Sequence, residues 1–212
     1  MLDYHDREWG RPLRGHPAMF ERMTLEAFQS GLSWLIILRK RENFRQAFAG
    51  FDIETVAGFT ERDVARLMAD TGIVRNRAKI EAAIANARVA VDSGVDLSDL
   101  LWSHAPPPRA RPAAGAAVPT QTHESVTLAR ELKRRGFRFV GPTTAYALMQ
   151  ATGMVDDHLQ DCWVPGSGTS LMVNRGQWAA LELTEPGTWS GGSGPARYLE
   201  GALDGGDEAP DR

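Results

Sequence analysis

The chain of 212 residues is poor in cysteine and in long apolar runs. Its single cysteine, Cys162, excludes an internal disulfide framework and predicts a reducing, cytoplasmic location. The longest apolar run, residues 35–38, is far shorter than the ~20 residues that cross a bilayer, so we expect no membrane partner. The N-terminus also lacks the charged-then-apolar layout of an export signal.

The chain also lacks an excess of positive charge, because its formal net charge is -3. Residues 166–212 hold three of the 24 basic and seven of the 27 acidic side chains, which leaves 21 basic and 20 acidic side chains in residues 1–165. The body of the chain is therefore close to neutral. An enzyme that contacts one short stretch of duplex needs only a local basic face, so this composition permits DNA binding without arguing for it.

The apolar spacing of residues 1–165 is helical almost throughout, with no alternating stretch long enough to predict a strand. We therefore predict one all-α domain over 1–165, with a surface loop at residues 104–119. Residues 166–212 contain 10 of the 21 glycines, and we expect a poorly ordered acidic tail with a short helix near 176–183. The predicted helices of the domain cover 17–30, 33–48, 60–70 (opened by a capping box of Thr60 and Asp63), 76–92, 97–103, 125–135 (capped by Ser125) and 143–153.

Residues 137–145 form a turn between two predicted helices, with Gly141 followed by Pro142. A glycine in a tight turn lets the backbone approach a phosphate, and the N-terminus of the next helix offers free N–H groups to an anion. This arrangement is typical of a helix-hairpin-helix DNA clamp. An ordinary Gly-Pro turn between packed helices explains the same residues equally well.

His158 and Cys162 lie four residues apart, which would place both on one face of a helical turn. Histidine nitrogen and thiolate sulfur are common zinc ligands, and His5 is the candidate for a third. Spacing alone does not bring His5 near His158. The alternative is a small apolar cysteine beside a partly exposed histidine.

Glu26 lies within an otherwise apolar helical segment, and Trp34 follows shortly after the predicted helix break. Tyr4 and Trp9 lie upstream. A carboxylate among flat aromatic rings is a good receptor for a cationic planar base, because the rings stack on it and the acid offsets its charge. The alternative places Glu26 at the surface and the aromatic rings in the core.

Taken together, five segments resemble the bacterial 3-methyladenine DNA glycosylase I family of the helix-hairpin-helix superfamily. The resemblance extends from residue 2 to about Pro165 and does not include the tail. It predicts a helical bundle with a zinc-tethered terminus, acting as a monomer on double-stranded DNA that contains alkylated bases. The matching segments are Tyr4–Gly10, Leu25–Phe44, Gly72–Arg88, Lys133–Gly141 and Asp156–Cys162.

The resemblance also implies roles for individual residues. Glu26 corresponds to the catalytic pocket glutamate that hydrogen-bonds the methylated adenine, Trp34 to the tryptophan that stacks on it, and Tyr4 to a pocket tyrosine; we add Trp9 to this base-binding set. Gly31 and Leu32 correspond to the loop that fills the gap left in DNA. The phosphate-gripping hairpin contains Val140, Gly141, Thr143 and Thr144, and the zinc ligands are His5, His158 and Cys162.

The chain departs from the family pattern upstream of Tyr4, where relatives carry a Cys-x-Trp segment that supplies a fourth zinc ligand. We expect a site of His5, His158 and Cys162 to bind zinc more weakly, with water or a carboxylate in the fourth position. A start codon assigned too late and a true variant both explain the difference.

The expected reaction is hydrolysis of the N-glycosidic bond of 3-methyladenine. Because methylation makes the base cationic, the leaving group is already activated, and Glu26 and Trp34 need only select it. No lysine nucleophile is evident near the hairpin, which predicts a monofunctional enzyme; Asp157 or Asp161 is a candidate to support the oxocarbenium-like centre. The competing interpretations are a non-catalytic helix-hairpin-helix DNA-binding protein, inactivated by N-terminal truncation, and a zinc-stabilised helical protein without a DNA role.

Overall fold

A computed structural model describes residues 1–166, which form nine α-helices and one short 3-10 turn, with no β-strand. The predicted all-α class is therefore confirmed. No helix of this region is long and apolar enough to cross a membrane. The predicted helix near 176–183 and the predicted order of the tail lie outside the described residues. The helices are α1 (Leu2–Arg7), α2 (His16–Gln29), α3 (Trp34–Ala47), α4 (Ile53–Ala57), α5 (Glu61–Ala69), α6 (Arg77–Ser93), α7 (Leu97–Trp102), α8 (His123–Arg134) and α9 (Pro142–Ala151).

Several helices begin where their side chains can satisfy free backbone N–H groups. Thr60 and Asp63 form the predicted capping box at the start of α5. Asn76 accepts a hydrogen bond from the backbone N–H of Lys79 at the start of α6. Because these capping residues are local in sequence, the predicted positions of both helices agree with the structure.

Other predicted boundaries were wrong or missing. Ser125 does not cap α8; Thr122 does, and Ser125 is the third helical residue, whose hydroxyl accepts a bond from the backbone N–H of Thr122. Two helices, α1 and α4, were not predicted, because each has at most six residues and too few apolar positions to show a period. The predicted surface loop at 104–119 is irregular, as expected.

The core is organised around α2, which packs against α3, α6, α7 and α9. Its inner face is completed by phenylalanine side chains from α2, α3 and the 3-10 turn at Ala49–Phe51. The rings of Phe28 and Phe44 lie 4.8 Å apart between centroids, and both side chains are fully buried. Removing one such ring costs about 3–5 kcal/mol, so this cluster fixes the position of α2.

The segment after α1 is bonded to the C-terminal end of α9. The N–H of Gly10 donates to the carbonyl of Gln150, and the N–H of Leu13 donates to that of Thr152. Gly10 has a φ of +70°, and a Cβ there would lie 2.6 Å from Cε1 of His158. The close approach at Gly10 therefore brings the N-terminal helix against the segment that follows α9.

Candidate active site

A cavity of about 330 Å³ opens between α1, α2, α3 and α9. Its volume is at the lower end of the range of about 300–1,000 Å³ that is usual for small-molecule sites. All four residues predicted to bind the base line this one cavity. The lining consists of Met1, Tyr4, His5, Trp9, Glu26, Gln29, Trp34, Ala147 and Gln150.

Glu26 is the buried acid of the cavity, with 4 % of its surface exposed. This excludes the alternative of a surface glutamate. Burial raises the pKa of its carboxyl group to about 7, and the positive charge of Arg22 opposes part of that rise. A carboxyl group held in this way changes charge near neutral pH, and it gains most from a cationic partner that enters the cavity.

Arg22 is a buried cation that sequence reasoning missed. Its guanidinium donates to the hydroxyl of Tyr4 over 2.8 Å, and it also lies 3.5 Å from the carboxylate of Glu8. Glu8 in turn is held by Arg41 from α3. The carboxylate of Glu8 balances the charge of Arg22. The hydrogen bond from Arg22 holds the phenol of Tyr4 in the cavity that Glu26 also lines, and the Tyr4 O–H remains free to donate.

Three aromatic side chains form the walls of the cavity. The rings of Tyr4 and Trp34 lie 5.4 Å apart between centroids at 45°, and the ring of Trp9 lies on the side of His5 at 6.1 Å. The indole N–H of Trp34 is buried without a hydrogen-bond partner in residues 1–166. Planar walls around a carboxylate suit a flat, positively charged ring.

The loop between α2 and α3 is fixed from two sides. Lys79 of α6 donates to the carbonyls of Phe28 (2.8 Å) and Ser30 (2.6 Å), and burial lowers the pKa of its amine. Gln29 donates to the carbonyl of Leu32 over 2.8 Å. Gly31 is exposed at the tip with a φ of +81°, whereas Leu32 is partly buried against the core.

Asn86 of α6 holds the turn between α8 and α9. Its amide donates to the carbonyl of Arg138 (3.1 Å), and its oxygen accepts from the N–H of Arg138 (2.7 Å). Of the residues predicted to grip phosphate, Val140 has a buried side chain, while Gly141 caps α9 and Thr143 is exposed next to the partly buried Thr144. The side chain of Val140 therefore belongs to the core, and only its backbone is available to a ligand.

His5, His158 and Cys162 converge beside the cavity, with one ligand atom of each within 4.8 Å of the others. Nε2 of His158 is buried and has no hydrogen-bond partner among the described residues, while its Nδ1 bonds Asp156 at 2.7 Å. The unpartnered nitrogen of a buried histidine that lies near a second histidine and a thiol, with a carboxylate behind its ring, fits a zinc ligand. The predicted helical turn was wrong, however, because residues 156–162 are not helical.

Asp157 lies behind the cavity rather than in it. Its carboxylate is buried and accepts bonds from Tyr146 (2.6 Å), Gln150 (2.8 Å) and Arg109 (2.7 Å). Burial raises the pKa of Tyr146 to about 12, so this phenol keeps its proton and donates. Asp161 is exposed. Neither acid lines the cavity, and the prediction that one supports an oxocarbenium-like centre there is not supported by this position.

Sequence reasoning missed the residues that reach the site from distant helices. Lys79 and Asn86 were read only as positions of a helix, and Gln150 lay inside another predicted helix. A polar residue on an otherwise apolar helical stripe was the available signal, because such a residue needs a buried partner. The identity of that partner depends on tertiary packing, which spacing does not reveal.

Comparison with known proteins gives a consistent result. The family described as methyladenine glycosylase matches residues 1–165. The chain is 45% identical to a DNA-3-methyladenine glycosylase of Haemophilus influenzae over 76% of its length and 90% of that protein. It is 44% identical to DNA-3-methyladenine glycosylase 1 of Escherichia coli, over 76% of this chain and 89% of that one.

Solved structures agree with the curated relatives. A crystal structure of a 3-methyladenine DNA glycosylase I superposes with a TM-score of 0.73 at 44% identity, covering 76% of this chain and 92% of the other. A Staphylococcus aureus 3-methyladenine DNA glycosylase I, solved to explain 3-methyladenine recognition, gives a TM-score of 0.71 at 37% identity, covering 77% of this chain and 90% of that chain.

Proposed function

The chain belongs to the methyladenine glycosylase family, and we propose on that premise that it releases 3-methyladenine from alkylated DNA. The observation that carries the proposal is the buried carboxyl group of Glu26, which faces a cavity walled by Tyr4, Trp9 and Trp34. A neutral adenine offers such a pocket no charge, whereas the N3-methylated base is cationic. The pocket therefore favours the damaged base, which is also the easier one to extrude.

In the proposed reaction the C1′–N9 bond breaks and its electron pair moves to the base, which leaves as neutral 3-methyladenine. Water adds to C1′ and loses a proton. Glu26 holds the cationic base, Tyr4 and Trp34 stack around it, and the Gly31–Leu32 loop enters the gap in the duplex. Because the leaving group is already activated, the protein accelerates the reaction mainly by selecting the cationic base and orienting it in the cavity.

We propose that the reaction stops at base release. The chain contains three lysines, at positions 40, 79 and 133, and none of them lines the cavity. The amine of Lys79 is held by two backbone carbonyls, and that of Lys40 by the carbonyl of Thr71. Because no lysine lines the cavity, no lysine can form a Schiff base there, and we expect no lysine-dependent strand cleavage.

The turn between α8 and α9 is the proposed phosphate grip of a helix-hairpin-helix. Gly141 caps α9, and the first N–H groups of that helix are directed at the turn, where an anion is favoured. The two hydrogen bonds from Asn86 hold the turn in one conformation. We propose that the protein acts as a cytoplasmic monomer on double-stranded DNA.

Zinc is the proposed structural metal, held by His5, His158 and Cys162. The orphaned Nε2 of His158 and the paired Nδ1 support this ligand set. Bound zinc would tie α1 to the segment after α9 and thereby stabilise one wall of the cavity. It takes no part in the proposed chemistry.

The decisive experiment is base release from methylated duplex DNA, with free 3-methyladenine and apurinic sites measured together. The proposal predicts equal amounts of both, with intact strands until alkali is added. Tight binding to the duplex without release would instead favour the non-catalytic DNA-binding protein. Strand breaks without alkali would contradict the monofunctional assignment.

A further inference from the structure

Gln150 differs from the other polar residues of the cavity, because a buried acid sets the direction of its amide. Its backbone carbonyl is fixed by the N–H of Gly10, and its Nε2 donates to Oδ2 of Asp157 over 2.8 Å. Since the carboxylate only accepts, the amide cannot turn over without placing its oxygen against another acceptor. The oxygen Oε1, which has no hydrogen bond to residues 1–166, is therefore the acceptor that Gln150 offers to the cavity.

The carboxylate that imposes this direction is itself firmly held. Asp157 is 6 % exposed, and Tyr146 and Arg109 donate to it in addition to Gln150. Arg109 also donates to the hydroxyl of Tyr146 over 2.8 Å, and its charge offsets that of the acid. Because three donors share one buried carboxylate, any other arrangement of these hydrogen bonds would leave a buried polar group unpaired, at a cost in free energy.

The cavity therefore presents two acceptors, Oε1 of Gln150 and the carboxylate of Glu26. The other amide in the lining, that of Gln29, is bound to the carbonyl of Leu32 and belongs to the loop. On 3-methyladenine within DNA, the exocyclic 6-amino group is the one conventional hydrogen-bond donor, and it carries two hydrogens. On 3-methylguanine the same ring position carries a carbonyl oxygen, which is an acceptor.

We propose that Gln150 is a specificity residue, which accepts a hydrogen bond from the 6-amino group and thereby excludes 3-methylguanine. Asp157 is its positioning residue, because it keeps the amide oxygen toward the cavity. This inference rests on the proposed glycosylase function. A site built to accept from an amino group rejects a carbonyl at that position strongly, since two acceptors would then face each other without a proton.

The test measures the ratio of 3-methyladenine to 3-methylguanine released from one DNA sample methylated with dimethyl sulfate. In Asp157→Asn the new amide can offer its NH₂ to Gln150, so the Gln150 amide turns and presents a donor to the base. We expect the ratio to fall about tenfold or more, because 3-methyladenine is released more slowly and 3-methylguanine faster.

The matched control is Tyr146→Phe, which removes one donor from the same carboxylate but leaves an acceptor facing Gln150. It weakens the same network, yet it should keep the ratio within about twofold of the wild-type value. Gln150→Leu is the second variant: it should slow 3-methyladenine release about tenfold without a gain of 3-methylguanine release. The exposed Gln46→Leu should change neither rate.

Equal ratios in Asp157→Asn, Tyr146→Phe and wild type would overturn the assignment while leaving the glycosylase function intact. Equal losses in the two network variants would also overturn it, since they would indicate a purely structural role. A wild-type protein that releases neither base would refute the proposed function, and this inference with it.

Discussion

The cavity around Glu26 and the cluster of proposed zinc ligands (His5, His158 and Cys162) share His5 but are assembled differently. Glu26 and Trp34 are eight residues apart, on two consecutive helices whose connecting loop is anchored by Lys79. The cluster joins residues that are up to 157 positions apart in the chain. The acid and the stacking ring of the cavity therefore come from a local pair of helices, to which α1 and α9 add walls, whereas every pair of residues within the cluster that includes His5 joins the two ends of the domain.

Because of this difference, we expect the cavity to control base binding and the cluster to control the attachment of α1. In the proposed function, exchanging a polar group of the cavity should change which base is bound. In the cluster, Nε2 of His158 has no hydrogen-bond partner among the described residues, and the proposed zinc would supply one. Substitutions in the cavity should change turnover, and substitutions in the cluster should change how firmly α1 is attached to the segment after α9.

The largest effect is expected for Glu26→Gln, which should lower release of 3-methyladenine about 100-fold while duplex binding remains. The amide keeps the size of the side chain but loses its attraction for the cationic base. Base release under single-turnover conditions measures it. Glu21→Gln is the control, because Glu21 lies on the same helix and pairs with Arg45 outside the cavity. Similar losses in both variants would show that the charge of Glu26 has no special role in base release.

The second effect belongs to the cluster. Cys162→Ser should weaken zinc binding by at least about 100-fold and lower the melting temperature, with a smaller loss of base release. Metal analysis of the purified protein and thermal unfolding with and without a chelator measure it. The control is Asp161→Ala, an exposed neighbour that holds no ligand atom of the cluster. A wild-type protein that is purified without metal, and whose melting temperature changes neither with chelator nor with added zinc, would contradict the proposed zinc site.

The third effect is a pH dependence that arises from Glu26 in the cavity. The pKa of Glu26 is raised to about 7 in the folded protein, so the folded state binds its proton more tightly than the unfolded state. The resulting stabilisation is complete below the ordinary pKa near 4.5 and is lost as pH rises through about 7, by about 3 kcal/mol. Urea unfolding across this range should show the loss in wild type and not in Glu26→Gln.

The same ionisation should act on turnover in the opposite direction. Because the carboxylate attracts the cationic base, kcat/KM should rise with pH through about 7. The pH profile of base release measures this. A profile that is flat between pH 6 and 8, in a protein whose stability does vary there, would indicate that the charge of Glu26 is not used in binding.

The smallest effect concerns the anchor of the loop. Lys79→Met should leave the carbonyls of Phe28 and Ser30 without their donor, which lowers stability by about 1–3 kcal/mol and base release about tenfold. Lys40→Met is the matched control, since its amine donates to one exposed loop carbonyl away from the cavity. Equal effects of the two substitutions would show that the loop does not depend on α6.

Features that depend on interactions between residues close in sequence could be predicted, and features that depend on contacts between distant elements could not. The long helices were predictable because apolar period and caps such as Thr60 and Asn76 are local. Ser125 was misplaced as a cap because the helix begins three residues earlier, where Thr122 accepts a bond from the N–H of Ser125. The cavity residues followed from resemblance, whereas Arg22, Lys79 and Gln150 could not be placed, since each acts on a residue of another element.

One helix relates the two ends of the proposed DNA contact. The turn that precedes α9 is held by Asn86, and the same helix places Ala147 and Gln150 in the cavity wall. At 1.5 Å per residue, the nine steps from Gly141 to Gln150 span about 13 Å along the helix axis. In the proposed complex, helix α9 would therefore set the distance between the bound backbone phosphate and the extruded base. An inserted residue would lengthen it slightly but rotate Gln150 by about 100°.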